Sequence, residues 1–199
     1  PAAVSSAGGT PTGNVTFRSD GSPLGGAVVL AGGQATLMTS ALPAGTHTIT
    51  ADYGGDANLA PSTGTLTQTV NTAATTTALT SSTNPSVFGQ AVTFTAMVSA
   101  LVPGSGTPTG TVTFKDGGAT IGTSALNGSA AATFSTSTLS PGGHAITATY
   151  NGDSNFTAST SSVLNQTIGP CQKPPAITNL AIDRSAADIG TNYRLTWTD

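Results

Sequence analysis

Charge is what this chain has least of. Asp, Glu, Lys and Arg together make up 7% of its 199 residues, where a soluble globular domain usually carries about 25%. Five basic residues against eight acidic ones leave a net charge of −3. No basic stripe is present to neutralise a phosphate backbone, which excludes nucleic acid as a partner. A single cysteine, Cys171, excludes an internal disulfide framework. It reads as a linker thiol, or as half of a bridge to sequence outside these residues. No run of 18 apolar residues occurs, so no membrane-spanning helix is expected. The chain has no initiating Met and no leader with a charged and then an apolar region, and it reads as an internal stretch of something longer. CxxC and HExxH motifs, phosphate loops, carboxylates paired at glycosidase spacing and a serine on a strained elbow are all missing. The expectation is a chain without catalysis and without a cofactor.

Scarcity of charge does not mean disorder here, because 37% of residues are apolar and disordered chains combine low hydrophobicity with high charge. The abundant Thr, Ser, Val and Ala suit half-buried strands. The most informative feature is internal repetition. Residues 11–59 align with residues 108–156 at a constant offset of 97 without a gap, and 22 of the 49 positions are identical. That period is too long for a solenoid unit and about the length of one immunoglobulin-like sandwich.

Strand signals recur in both copies. Val15 and Phe17 alternate with Asn14, Thr16 and Arg18, and Val112 and Phe114 with Thr111, Thr113 and Lys115, the period-2 pattern of a strand with one buried face. Gly-rich turns follow at residues 19–21 and 116–118. A short strand is expected around Leu24 or Ile121, and another placing Ala35 and Leu37, or Ala132 and Phe134, on one face. His144, Ile146, Ala148 and Tyr150 share a face of the next strand. The last strand carries Leu66, Gln68 and Val70, matched one residue out of register by Leu164, Gln166 and Ile168. Residues 75–80 and 90–99 add two strands to the second copy, the latter burying Val92, Phe94, Ala96 and Val98. The first copy has no counterpart for them. About seven strands, turns every 8–12 residues and no helical periodicity predict an all-β chain of tandem immunoglobulin-like Greek-key β-sandwiches.

P-T-G-x-V-T-F (residues 11–17 and 108–114) followed by L-x-x-G-x-H-x-I-T-A-x-Y-x-G-D-x-N (42–58 and 139–155) resembles the bacterial Ig-like repeat domains of large secreted and surface proteins. The resemblance implies a stalk or adhesion context, an extracellular or cell-surface location and no particular chemistry. The expected organisation is an Ig-like domain over 1–71 that lacks its first two strands, a complete one over 72–168, and a Pro-rich linker over 169–175. Residues 176–199, with Ile177, Leu180 and Ile182 as core positions and Trp197 as a buried tryptophan, resemble the first strands of a fibronectin type III domain.

Few residues invite a functional reading. His47 and His144 sit at a domain corner, where the expected role is to hydrogen-bond backbone at the turn; the pattern places no acidic residue to orient them. Asp56 with Asn58, and Asp153 with Asn155, lie in Gly-rich loops. Their oxygens are the only weak candidates for a metal site, since Ca²⁺ wants six to eight oxygen ligands, and Asx capping of the turn is the plainer role. Tyr53 and Tyr150 read as core; Phe88 and Phe156 could be loop contacts between domains. The leading expectation is a structural or adhesive spacer. Its partners would be neighbouring Ig-like and fibronectin-like domains, with a cell-surface glycan or protein as a further candidate. Two rivals are a glycan- or protein-binding module, against which 5% aromatic content argues, and the accessory region of a secreted hydrolase.

Overall fold

Alternating apolar and hydroxyl residues, punctuated by glycine turns, make strands throughout, and the described residues contain no helix. The computed structural model describes residues 9–171, together with the backbone of 181–183 and 194–196.

In the first copy, β1 (Asn14–Ser19), β2 (Ser22–Pro23), β3 (Val28–Val29), β4 (Gly45–Tyr53) and β5 (Ser62–Val70) form one antiparallel sheet. Its order is β2-β1-β4-β5, with β3 also beside β1. Asp20 and Gly21 link β1 to β2 with φ of 51° and 86°, the two left-handed residues that a type I′ hairpin turn requires. β4 and β5 pair over their full length, from Gly45 opposite Val70 to Tyr53 opposite Ser62.

The second copy runs through β6 (Thr75–Ser81), β7 (Ser86–Val87), β8 (Val92–Ala100), β9 (Thr111–Asp116), β10 (Ala119–Ala125), β11 (Ala131–Thr136), β12 (Gly142–Tyr150), β13 (Ser159–Thr160) and β14 (Leu164–Gly169). One sheet has the order β10-β9-β12-β14-β7, with β13 beside β12, and the other has the order β11-β8-β6. This is the immunoglobulin division into a C′-C-F-G sheet and an A-B-E sheet. Val92, Phe94, Ala96 and Val98 of β8 pack onto Val112, Phe114, Ile146, Ala148 and Tyr150 of β9 and β12, all fully or almost fully buried. Gly122 fits this core because a Cβ there would lie 2.3 Å from the ring of Phe134, which itself stacks on Phe114 at 5.7 Å.

β1 and β4 keep the register of β9 and β12. Val15 faces Tyr53 and Ser19 faces Ile49, as Val112 faces Tyr150 and Asp116 faces Ile146. What differs is the cover. Among the described residues, nothing in the first copy corresponds to β6 and β8. Phe114 and Ile146 are 0% exposed, whereas Phe17 and Ile49 are only half-buried, and Leu66 and Met38 are 62% and 92% exposed.

Two expectations need correction. No strand forms at Ala35 and Leu37. Their counterpart β11 owes its ladder to β8, through pairs such as Phe134 opposite Phe94, and without that partner strand propensity has no backbone groups to bond. The strand expected around Leu24 stops at Pro23, although the Leu24 N–H still donates to the Phe17 carbonyl at 2.9 Å. The pattern also missed β7, which lies parallel to β14. The fibronectin-like reading falls mostly outside the described residues; β15 (Ala181–Asp183) and β16 (Arg194–Thr196) form an antiparallel pair.

The contrast in cover predicts unequal stability. Phe114→Ala should cost the second copy about 3–5 kcal/mol, and Phe17→Ala should cost the first about 1 kcal/mol or less. Urea unfolding followed by residue-resolved hydrogen exchange checks both, with slower exchange expected in β9 and β12 than in β1 and β4.

Candidate functional site

Each copy carries two polar clusters built from the recurring residues. The first surrounds the corner histidine at the start of β4 or β12. His47 Nδ1 lies 2.8 Å from Asp20 Oδ2, and Nε2 lies 3.0 Å from the Pro43 carbonyl. His144 repeats this with Asp116 at 2.6 Å and the Ser140 carbonyl at 2.8 Å. Contrary to the sequence expectation, an acidic residue does orient each ring. The signal was hidden because Asp20 occupies a turn position and Asp116 the strand end before the turn, so the two do not align at the 97-residue offset. Both ring nitrogens face acceptors, so each must donate, and the doubly protonated imidazolium is favoured. The Asp20 carboxylate, followed by the Pro43 carbonyl, raises the His47 pKa above its ordinary value. For His144 the Ser140 carbonyl contributes most, then Asp116. The hydrogen bond from His47, aided by the Thr48 N–H, holds the Asp20 carboxyl below its usual range. Neither nitrogen is left to accept a proton, so the cluster is a charged clamp between the hairpin turn and the corner, unsuited to general-base work.

The second cluster joins the P-T-G segment to the Gly-Asp-x-Asn loop. Asp153 Oδ2 accepts from the Thr109 N–H at 2.9 Å and the Thr109 hydroxyl at 2.6 Å. Its Oδ1 accepts from the N–H groups of Asn155 and Phe156 at 2.8 and 2.9 Å. Asp56 does the same with Thr12, Asn58 and Leu59. Burial pushes the Asp153 pKa up, but the Thr109 hydroxyl and the three N–H donors outweigh it and hold the carboxyl at about 2. Asp56 is depressed by the Thr12 and Asn58 N–H groups. The glycines of both motifs meet here: Gly110 has φ of 95°, and a Cβ on it would lie 3.2 Å from the Gly152 carbonyl. Asn155 does something else. Its Oδ1 accepts from the Ala44 N–H of the first copy at 2.8 Å, a contact across the junction that sequence reasoning missed.

Tyr150 is fully buried, and burial, then the Asp153 charge, pushes its phenol up to about 12. Tyr53 is half-buried, and its pKa is raised first by burial and then by Asp56. Phe156 is buried, Phe88 is 46% exposed and Cys171 is exposed. Gln166, fully buried, accepts from the Ser81 hydroxyl at 2.6 Å and donates to the Thr83 carbonyl at 3.0 Å, tying β14 to the strands that cover the core.

The profile of the bacterial Ig-like domain (group 3) matches residues 1–71 and 79–169. The chain belongs to this family. No curated protein and no solved structure matches it. Bacterial Ig-like domains usually occur in extracellular or surface proteins and are typically non-catalytic. In these two Ig-like copies, the hydrogen bonds of every described carboxylate lie within its own copy: Asp52 takes Arg18 at 3.1 Å and Thr63 at 2.9 Å, and the other four serve the clusters above. Among the described residues, no group of three His, Cys, Asp or Glu is placed to hold a metal.

Two outcomes follow from these Ig-like clusters. Raised histidine pKa values mean that the folded state binds protons more tightly than the unfolded state. That contribution is complete below the ordinary value of 6.5 and is lost as pH rises through the raised folded values. The depressed aspartates act oppositely, contributing above their ordinary value of 3.8 and failing as pH falls, towards about 2 for Asp153. Thermal melts should therefore give a higher Tm at pH 5.5 than at pH 8.5, and the difference should shrink in His47→Gln/His144→Gln. Because four donors already occupy each loop carboxylate, millimolar calcium should leave the Tm unmoved, while Asp153→Ala should lower it; differential scanning fluorimetry with calcium and with EDTA reads both.

Proposed function

We propose that the chain is a non-catalytic spacer, a stiff pair of Ig-like units in an extracellular or surface protein that holds neighbouring domains at a set distance. The observation that carries this reading is the short, anchored connection between the copies. β5 ends at Val70 and β6 begins at Thr75, yet half of the intervening stretch already belongs to the second copy. The Ala73 N–H donates to the Asn155 carbonyl at 2.8 Å, and its carbonyl accepts from the Thr157 N–H at 2.9 Å. The Ala74 carbonyl accepts from the Leu101 N–H at 2.8 Å. Gly104 packs so closely that a Cβ there would lie 2.5 Å from the Ala73 Cβ. Only Asn71 and Thr72 remain as a hinge, and the bond from Ala44 to Asn155 closes over it. A two-residue hinge spans too little chain for wide swings.

Shared alignment of the two copies in residual dipolar coupling measurements tests the reading. Wild type is expected to behave as one body, while Gly104→Ala or Asn155→Ala should give separate alignment tensors. A wild-type chain whose copies already tumble independently, or micromolar binding by the isolated chain on a glycan array, would overturn the spacer.

A further inference from the structure

The first copy presents an open apolar face whose twin is covered, and the cover is known residue by residue. Phe17, Leu37, Ile49, Leu66, Gln68 and Val70 line a groove on one side of the β1-β4-β5 sheet. The equivalent face of the second copy, with Phe114, Phe134, Ile146, Leu164, Gln166 and Ile168, is filled by β6 and β8.

We propose that this groove is a docking site for a β-hairpin with the chemistry of residues 75–100, supplied from outside residues 9–171. Three features of the groove ask for that occupant. The first is spacing. Phe17 and Ile49 repeat the positions against which Val92, Phe94, Ala96 and Val98 pack, so the inner strand must present apolar side chains at every second residue. The second is backbone. Residues 35–39 run without a partner, and by the β11–β8 register an incoming strand would set its counterparts of Ala96 and Phe94 opposite Ala35 and Leu37. Strand addition at such an edge supplies the missing main-chain hydrogen bonds. The third is polar. Gln166 bonds to Ser81 and Thr83 of the covering segment. Gln68, at the same place in the first copy, is exposed and turns to its neighbour's carbonyl on Thr69 at 2.9 Å. The occupant therefore carries a serine or threonine hydroxyl at the end of its outer strand and, two residues on, a backbone carbonyl free to accept. A helix would satisfy the apolar face but neither the bare backbone nor Gln68.

Two forms of the same hairpin test this on the full chain. In the first, a synthetic peptide of residues 75–100 is added in trans, with its Phe94→Asp/Ala96→Asp form as control. In the second, residues 75–97 are fused directly ahead of Pro1, which the 97-residue offset aligns with Val98, so that self-association of the peptide cannot hide the answer. The expected result is a monomeric chain in sedimentation, binding of the native peptide alone, and at least about tenfold slower amide exchange in β1 and β4 with either form. Exchange in β9 and β12 should stay unchanged. Two results overturn the proposal: no gain in protection from the fused hairpin, or a chain that dimerises without it and already protects β1 and β4, which would make a second copy the occupant.

Discussion

A twisted antiparallel sheet buries a face only against another layer; the burial of each copy's apolar residues turns on whether that layer is present. The two copies hold the same sheet in the same register, with Phe, Ile, Ala and Tyr in matching places. In one, Phe94 and its neighbours on β8 seal the face and every core residue vanishes from solvent. In the other, the same residues stand half in water. A ladder of backbone hydrogen bonds is therefore enough to set the sheet, but it does not make a core. The loss of strand structure at residues 35–39 belongs to the same cause, because a strand whose ladder runs to the missing layer has nothing to pair with.

The polar clusters behave differently. The His47–Asp20 and His144–Asp116 clamps, and the Asp56 and Asp153 loop anchors, are built in both copies whether or not the cover is there. They lie at the two ends of the β1–β4 or β9–β12 pair, where they join turns that the sheet itself brings together. Each gives the donors of its turn an ionised acceptor, the stronger class of hydrogen bond. They explain why His, Gly-Asp and Pro-Thr-Gly recur while much of the intervening sequence drifts: these residues hold the loops at the sheet's ends, a task independent of whatever packs on its face.

This division also decides what could be read from sequence. Period-2 alternation located β1, β4, β8, β9 and β12, and the turn glycines separated them, because both signals are local. The corner histidines were legible as backbone anchors for the same reason. Their acidic partners were not, since Asp20 and Asp116 reach the same imidazole from positions one residue apart in the aligned repeat, and only three-dimensional placement shows the equivalence. Asn155 was read as a possible turn cap or metal ligand. Its side chain instead meets Ala44 across the junction, a contact set by how two domains dock and invisible to any pattern within one of them. β7 was missed because two residues are too few for periodicity, and its parallel pairing with β14 is a tertiary fact.

The same reasoning bears on where specificity can reside. With the described aspartates engaged inside their own copies, the described loops offer a ligand mainly hydroxyl groups and backbone. Across residues 18–34, which align with 115–131, the copies share only Gly21 and Gly25 with their counterparts: Arg18 is bound to Asp52, whereas Lys115 faces Thr147 across the sheet. These are differences of surface detail on a shared frame. The larger asymmetry is the uncovered face itself, with an apolar groove, a bare strand edge and a glutamine lacking the partners its twin enjoys. Among the described residues, the two copies thus differ less in their loops than in whether the apolar face of the sheet is covered.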